Sequence, residues 1–435
     1  MSEILIKGAR IEGDNPSDIL ISGNEIAQIG ESLDAPVGAK IIDASGMVAL
    51  PGLVDLHTHL RQPGAEDAET VLSGTRAAAA GGYTCVHAMA NTRPVADNAS
   101  VVNQVQWLGK KSGYALVRPV GAVSKGLKGE QLAALGAMAE SDAHVRVFSD
   151  DGKCVSDPVL MRRALEYVRA FDGVIAQHSQ DPRLTENAQM NESLLSGELG
   201  LAGWPAVAEE SIIARDLLLA QHVGSRLHVC HLSTAGSVDL VRWGKKRGIN
   251  VTAEVTPHHL YFTEEEARSY DPRYKVNPPL RRAEDVEAVR QGLADGTIDI
   301  VATDHAPHPL ETKDCEWQVG AFGMTGLQTA LSVVIETMVR PGLLDWHDVA
   351  RVMSRTPARI GQVETQGQEI AVGAHANICI VDPDAEDEVR LTDQVSSSTN
   401  TPWVGHSLPG ALRWTIYEGR VTLADGELAD LSEEA

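Results

Sequence analysis

Between residues 51 and 365 the chain repeats one rhythm eight times: an apolar segment, a polar end, then a helix-compatible stretch where length allows. The apolar segments are LVDLHTH, YTCVHAMAN, YALVRPVGAV, HVRVFSDD, GVIAQHS, RLHVCHLS, INVTAEVTPHH and IDIVATDHAPH. Stretches such as ETVLSGTRAAAAGG, PVLMRRALEYVRAFDG and ESIIARDLLLAQHVG lie between them and close on glycine, a common helix stop. Strands that alternate with helices build parallel sheets, and eight such units predict a (β/α)8 barrel, the α/β class known as the TIM barrel. A doubly wound open sheet shares the rhythm, and periodicity alone does not separate the two.

The ends read differently. EILIKGARI, SDILISGNEIAQIG and AKIIDASGMVALPG at the start, and IAVGAHANICIVDPDA, EVRLTD and RWTIYEGRVTLADGEL towards the end, are short strands punctuated by Gly, Asn, Asp and Pro. The predicted organisation is a catalytic barrel over 51–365 and one small composite β-sandwich from residues 1–50 and 366–435. Two unrelated caps on the barrel is the alternative.

Composition narrows function by exclusion. With 37 Lys+Arg against 60 Asp+Glu the chain carries a formal charge of −23, which lacks the basic footprint that nucleic acid requires. No apolar run approaches the roughly 18 residues of a membrane-spanning helix. The opening MSEILIKGARIEGD has no basic segment followed by an apolar one, so no export leader is expected. Five scattered cysteines, none in a CxxC pair, argue against a disulfide framework or a structural zinc cluster and fit a reducing cytoplasm.

The chemistry-bearing residues fall at the predicted C-terminal ends of strands: His57 and His59, Asn91, Asp150 and Asp151, His178, His231 and Asp304. In a closed parallel barrel those ends share one face, where barrel enzymes work. On a strand, His57 and His59 project to the same side; on a helix they would diverge by about 200°. Taken alone, two such histidines are as well explained by strand-end hydrogen bonding. Asp55, just upstream, also faces inward and could support them. Parity opposes His228 to His231 and favours His231 for the pocket, leaves Asp150 and Asp151 undecided, and turns Cys230 away from His231. Asp304 and His305 diverge, and small Ala302 shares Asp304's face. Four histidines and two carboxylates at strand ends make sense as a binuclear metal site, since imidazole with carboxylate suits Zn2+ and a carboxylate can bridge two ions. The remaining histidines (His87, His222, His258, His259, His347, His375 and His406) read as structural, and Met89 and Trp204 as packing.

GLVDLHTHLRQPG, AMANTRPVADN, FSDDG, VTAEVTPHHL, YKVNPPLR and VATDHAPH resemble the motifs of bacterial type I dihydroorotases of the amidohydrolase superfamily, over residues 3 to 428. The resemblance implies a barrel with a composite β-sandwich, and the reversible cyclisation of N-carbamoyl-L-aspartate to L-dihydroorotate in pyrimidine (UMP) biosynthesis. It implies two Zn2+ per subunit: His57, His59 and Asp304 on one, His178 and His231 on the other, with Asp151 and a hydroxide bridging them. Asp304 would be general base and acid. Arg61, Asn91 and Asn277 match substrate-binding positions, joined by His59, by His308 and by the Phe322–Gly323 backbone of a mobile loop. A homodimer and an association with aspartate carbamoyltransferase are further implications.

Two positions depart from the family pattern: Ala90 stands where proline is usual and Gln62 where glutamate is. Neither is a proposed ligand, so activity should survive both. Arginine at 61 suits a substrate carboxylate, because its guanidinium grips with two parallel hydrogen bonds; a strand-end ion pair is the plainer alternative. HPLETKDCEWQVGAFG, from 308 to 323, has no period and could be a lid or an ordinary surface loop. Competing readings are a dihydropyrimidinase, hydantoinase or allantoinase, whose bridging lysine Lys153 is poorly placed to supply, and an inactive scaffold, which would be expected to have lost ligands.

Overall fold

Each of the eight apolar segments forms a strand in the computed structural model, which describes residues 3–431. They are β1 (Leu53–Thr58), β2 (Tyr83–Ala88), β3 (Leu116–Pro119), β4 (Val147–Phe148), β5 (Val174–Gln177), β6 (Arg226–Val229), β7 (Val251–Val255) and β8 (Ile300–Val301). Ladders run parallel from β1 through β3 and from β4 through β8. Two parallel bridges, Gly121 to Phe148 and His305 to Thr58, join the two sets. The eight strands therefore form a closed ring, not an open sheet. Helices cover its outside, among them Val71–Ala80, Ala99–Ser112, Pro158–Val168, Val207–Val223, Ala235–Lys246 and Ala283–Ala294.

Local chemistry explains several of these boundaries. Thr70 and Ser73 form a reciprocal capping box at the start of Val71–Ala80. Gly113 and Gly224 end their helices at φ 73° and 69°, a region that side chains disfavour. Leu56, Met89, Val120, Val147, Val174, Ala176, Cys230, Ile300 and Ala302 fill the barrel's interior, while a larger apolar layer lies between strands and helices.

Both chain ends meet in one nine-stranded sheet, so the architecture is a (β/α)8 barrel with a β-sandwich module drawn from both termini. Ile378–Val381 pairs antiparallel with Val48–Pro51, and this seam leads directly into β1. The module's core is rich in isoleucine (Ile4, Ile6, Ile19, Ile21, Ile26, Ile42, Ile378, Ile380, Ile416), as suits residues stiffened for pleated sheet. Among the described residues no helix is long and apolar enough to cross a membrane.

The barrel closes at β1 and β8 around Asp55. Its buried carboxylate accepts from the Thr303 amide at 2.9 Å, the His57 amide at 3.2 Å and the hydroxyls of Thr58 and Thr303. The backbone carrying His57 and His59 is thereby tied to that carrying Asp304. Asp55 is thus a brace on the backbone of the site. Asp55→Ala would strand these donors in a dry interior, so unfolding free energy should fall by about 3 kcal/mol in denaturant titration. A loss below about 0.5 kcal/mol would mean that the strand ladder closes the barrel unaided.

Candidate metal centre and active site

At the C-terminal mouth of the barrel one carboxylate sits among four imidazoles. Asp151 Oδ1 lies 3.3 Å from His57 Nε2, 3.2 Å from His178 Nδ1 and 3.2 Å from His231 Nε2. Asp151 Oδ2 lies 3.2 Å from His59 Nε2. Asp304 joins from β8's end, its Oδ1 3.1 Å from His59 Nε2 and 3.5 Å from His57 Nε2. Two sets of ligand-type atoms, His57–His59–Asp151 and Asp151–His178–His231, each fall within 4.8 Å, and Asp151 belongs to both. The strand-end positions thus converge on one buried group.

The far nitrogens show what the near ones are for. His57 Nδ1 lies 2.7 Å from Glu254 Oε1, His59 Nδ1 2.9 Å from Asn91 Oδ1, and His178 Nε2 2.7 Å from Gln180 Oε1. An oxygen acceptor holds the N–H of each ring on its far nitrogen, so that when the ring is neutral the near nitrogen presents its lone pair to the Asp151 cluster. His57 Nε2 is buried and has no hydrogen-bond partner among the described residues. Asp151 Oδ1 and Asp304 Oδ1, both acceptors, lie 3.3 and 3.5 Å from it. Four imidazole nitrogens and two carboxylates facing one another in a buried pocket are a donor set for cations. Burial opposes charge on His57, yet Asp151, Glu254 and Asp304 outweigh it and hold the imidazole's basicity well above its ordinary value. Burial likewise disfavours ionised Asp304, but His57 and His59 bring it down to about 2.

Sequence parity separates residues that the structure unites. β6 ends at Val229, and His231 lies beyond it at φ +28°, where alternation no longer applies. His231 accordingly reaches Asp151 although its predecessors also face the pocket. His228, structural by parity, bonds Thr252 and Glu254, and Glu254 bonds His57. Cys230, expected to face away, lies in the interior cluster, grouped with His57 and Glu254. Burial pushes its thiol far above the ordinary value, so it is no thiolate. Asp304 also leaves its strand at φ +45° and Arg61 at φ +59°; strained backbone of this kind concentrates at functional sites. Asp150, which parity leaves tied with Asp151, accepts from the Val123 and Ser124 amides and braces a neighbouring loop. Lys153 is exposed. His305 turns away, to Glu69.

Glu254 and Gln180 escape the sequence reading. Glu254 lies within β7, in VTAEV, where a lone glutamate carries no strand-end signal. Its fully buried carboxylate takes His57 Nδ1, His228 Nε2 and the His231 amide, and these partners overcome burial to hold it well below the carboxylate range.

The remaining predicted positions ring the mouth. Arg61 Nε donates to Pro307 O at 3.0 Å, and no carboxylate lies within 4 Å of its guanidinium among the described residues. His308 Nε2 donates to Phe322 O at 2.8 Å and lies 3.5 Å from Arg61 Nη2, a contact between two donors. Asn277 Nδ2 donates to Gln180 Oε1 at 3.1 Å, while its buried Oδ1 has no partner among the described residues. Gly323 N–H is engaged by Lys275 O at 2.9 Å. Gln62 departs from Arg61 altogether and accepts from the Val71 amide at a helix start.

Comparison with known proteins agrees with this geometry. A family described as Dihydro-orotase-like matches residues 46–237. A protein named dihydroorotase from Leifsonia xyli subsp. xyli is 64% identical over 426 residues, covering 98% of this chain and 97% of its own. Its namesakes in Streptomyces coelicolor and Mycobacterium tuberculosis are 63% and 53% identical, each over 98% of this chain and covering 100% and 99% of theirs. Among solved structures, the L-hydantoinase (dihydropyrimidinase) of Arthrobacter aurescens superposes with a TM-score of 0.88 at 24% identity, over 99% of this chain and 98% of its own. The dihydropyrimidinase of Brevibacillus agri NCHU1002 gives 0.84 at 20%, over 98% and 96%. At such identities these two speak for the fold alone.

Glu254→Gln tests the support beneath the site. Loss of the anionic acceptor behind His57 should weaken divalent-metal affinity about 10- to 100-fold in competition with a chelator. Unchanged affinity would reduce Glu254 to a packing role.

Proposed function

The chain belongs to the dihydroorotase family, and from that premise we propose how its own residues interconvert N-carbamoyl-L-aspartate and L-dihydroorotate. The observation that carries the reading is Asp151, shared between two pairs of imidazoles near a guanidinium that has no carboxylate within 4 Å among the described residues. Two Zn2+ per subunit would be held by His57, His59, Asp151, His178, His231 and Asp304; the buried imidazole and carboxylate donors described above support this set. Ions so held would supply Lewis acidity, lowering the pKa of water and polarising a carbonyl.

Asp304 handles the proton. Its carboxylate is ionised at neutral pH, so in the hydrolytic direction it can accept a proton from the attacking water. It then returns that proton to the departing ring nitrogen as the amide bond breaks. In the biosynthetic direction the same carboxyl starts protonated and the sequence reverses. Arg61 holds the substrate carboxylate with parallel N–H donors, which its freedom from protein carboxylates permits. Asn91, bonded to His59, and Asn277, with an unused carbonyl oxygen, orient the ring amide. His308 and the backbone of Phe322–Gly323 close the opposite side, and with Gly323 N–H engaged, Phe322 N–H is the donor of that pair.

The assignment of residues 51–365 to catalysis and of 1–50 with 366–435 to the β module belongs to the same reading. So do a cytoplasmic location, which the five unpaired cysteines suit, a homodimer, and association with aspartate carbamoyltransferase, which rest on kinship.

The direct assay is turnover of dihydroorotate against dihydrouracil, hydantoin and allantoin by metal-loaded enzyme; preference for a ring without a carboxylate would overturn the substrate assignment. Asp304→Asn should lower kcat by at least about 100-fold while the enzyme still folds, and the loss should persist when the variant is saturated with zinc. A near-normal kcat would remove Asp304 from proton transfer. Arg61→Lys keeps the charge but loses the paired donors, so KM should rise by about tenfold or more, and an unchanged KM would contradict the clamp.

A further inference from the structure

The loop from His308 to Gly323 is held by two buried lysines that no catalytic step uses. Lys313 rises from the loop itself, and Lys275 from the facing segment that continues to Asn277. Both side chains are buried, 4% and 2% exposed. Lys313 Nζ donates to Pro272 O at 2.8 Å, Lys275 O at 3.2 Å and Ala321 O at 2.7 Å. Lys275 Nζ donates to Trp317 O at 2.7 Å and Gln318 O at 3.2 Å and stands 4.5 Å over the Phe322 ring. An ammonium has three N–H donors; three carbonyls satisfy one, and two carbonyls with an aromatic face satisfy the other. Each lysine thus reaches from its own segment to the opposite one, and the two stitch the loop down in both directions.

This is a costly way to fill space. A buried ammonium must give up its hydration, and no carboxylate lies within 4 Å of either lysine among the described residues. Burial pushes Lys275 down to about 8, and burial with the neighbouring Lys275 pushes Lys313 down to about 7. Asp271, already paired with Arg273, and Cys315 are the nearest groups of opposite tendency, and His308 lies on the pocket side. An apolar side chain would pack there without that penalty. What the ammonium adds is direction, because it fixes backbone carbonyls at stated points.

Those points lead to the pocket. Lys275 O accepts from Gly323 N at 2.9 Å, and Phe322 lies under Lys275 Nζ. Phe322 O in turn receives His308 Nε2, beside Arg61. Asn400 closes the loop's base, accepting from the His308 amide and donating to Ala306 O and Gly323 O. At Gly323, φ +134°, a Cβ would approach Ala306 Cβ to 2.8 Å and His308 Nε2 to 2.9 Å, so the seat tolerates little displacement.

We propose that Lys275 and Lys313 are positioning residues that clamp the 308–323 loop over the pocket, so that His308 and the Phe322 amide meet substrate in a preset geometry. The inference rests on the dihydroorotase reading of the pocket. A lid that needs no ordering at each turnover spends less binding energy on closure, and the gain appears in KM.

Lys275→Met and Lys313→Met, each in the metal-loaded enzyme, keep the side chain's length and remove the cation. The clamp predicts KM for dihydroorotate raised about tenfold, kcat reduced less than KM rises, unchanged zinc content, and faster proteolytic cutting within 308–323. KM within about twofold of the parent, with the loop cut no faster, would overturn it, whatever happens to Tm. Should neither variant fold, hydrogen exchange in the parent enzyme decides. Amides of 313–323 exchanging as slowly as those of 272–277 support the clamp, and exchange faster by about two orders of magnitude overturns it. Absence of dihydroorotate turnover by the parent would defeat the functional reading alone, since cutting of the two variants would still test the clamp.

Discussion

The carboxylate of Asp151 is the point on which the rest of the catalytic face depends. It is almost wholly buried and meets four imidazoles from three strands, His57 at the end of β1 and His59 just past it, His178 after β5 and His231 after β6. A carboxylate so deep in a protein ionises only if its surroundings compensate for lost hydration. Here burial is outweighed by His57 and by hydrogen bonds from His178 and His231, and Asp151 stays well below the ordinary carboxylate range. The compensation requires the imidazoles to be held in place from behind, which explains why Glu254, Asn91 and Gln180 stand at the far nitrogens of His57, His59 and His178. The barrel's closure is tied to the same demand. Asp55 grips the backbones of β1 and β8 at the level of His57 and Thr303, so the ring cannot open without moving two of the six assigned ligands.

Much of this is legible in the sequence, for a definite reason. Parallel barrels place strand ends on one face, so residues far apart in sequence and alike in strand position can be grouped from the order of strands and helices alone. That rule, together with family resemblance, gathers His57, His59, Asp151, His178, His231 and Asp304. The alternation that forms the terminal strands is equally plain, since turn residues bound short β-branched runs.

What escapes follows from where the strand rule stops. Alternation holds only while the backbone is extended, and His231 and Asp304 both lie past their strands at positive φ. Parity therefore misjudges Cys230 and the relation of His228 to His231, and it does not choose between adjacent aspartates. The family resemblance favours Asp151, and the hydrogen bonds give the physical reason: Asp150 is consumed by the Val123 and Ser124 amides, and Asp151 is left for the imidazoles. Glu254, inside a strand, and the two lysines, on irregular segments, are invisible for a related reason. Nothing in their neighbours announces that a charged side chain will be buried, since burial of charge is decided by partners remote in sequence.

The net charge of −23 looks ill-suited to an anionic substrate until charge is considered by location. Many of the acidic side chains are exposed, where water screens them and they favour solubility. The pocket has a different balance. Asp151, Asp304 and Glu254 are internally engaged with histidines, Arg61 has no carboxylate within 4 Å among the described residues, and a metal held by the His/Asp cluster would add positive charge. Lys275 and Lys313 lie just behind the loop that faces Arg61, their charge directed into backbone carbonyls. In a desolvated cleft such local terms outweigh distant surface charge, because field falls off steeply through water and persists where water is excluded. Attraction of a carboxylated substrate is therefore a property of the barrel mouth, and the overall charge governs only what the outer surface meets.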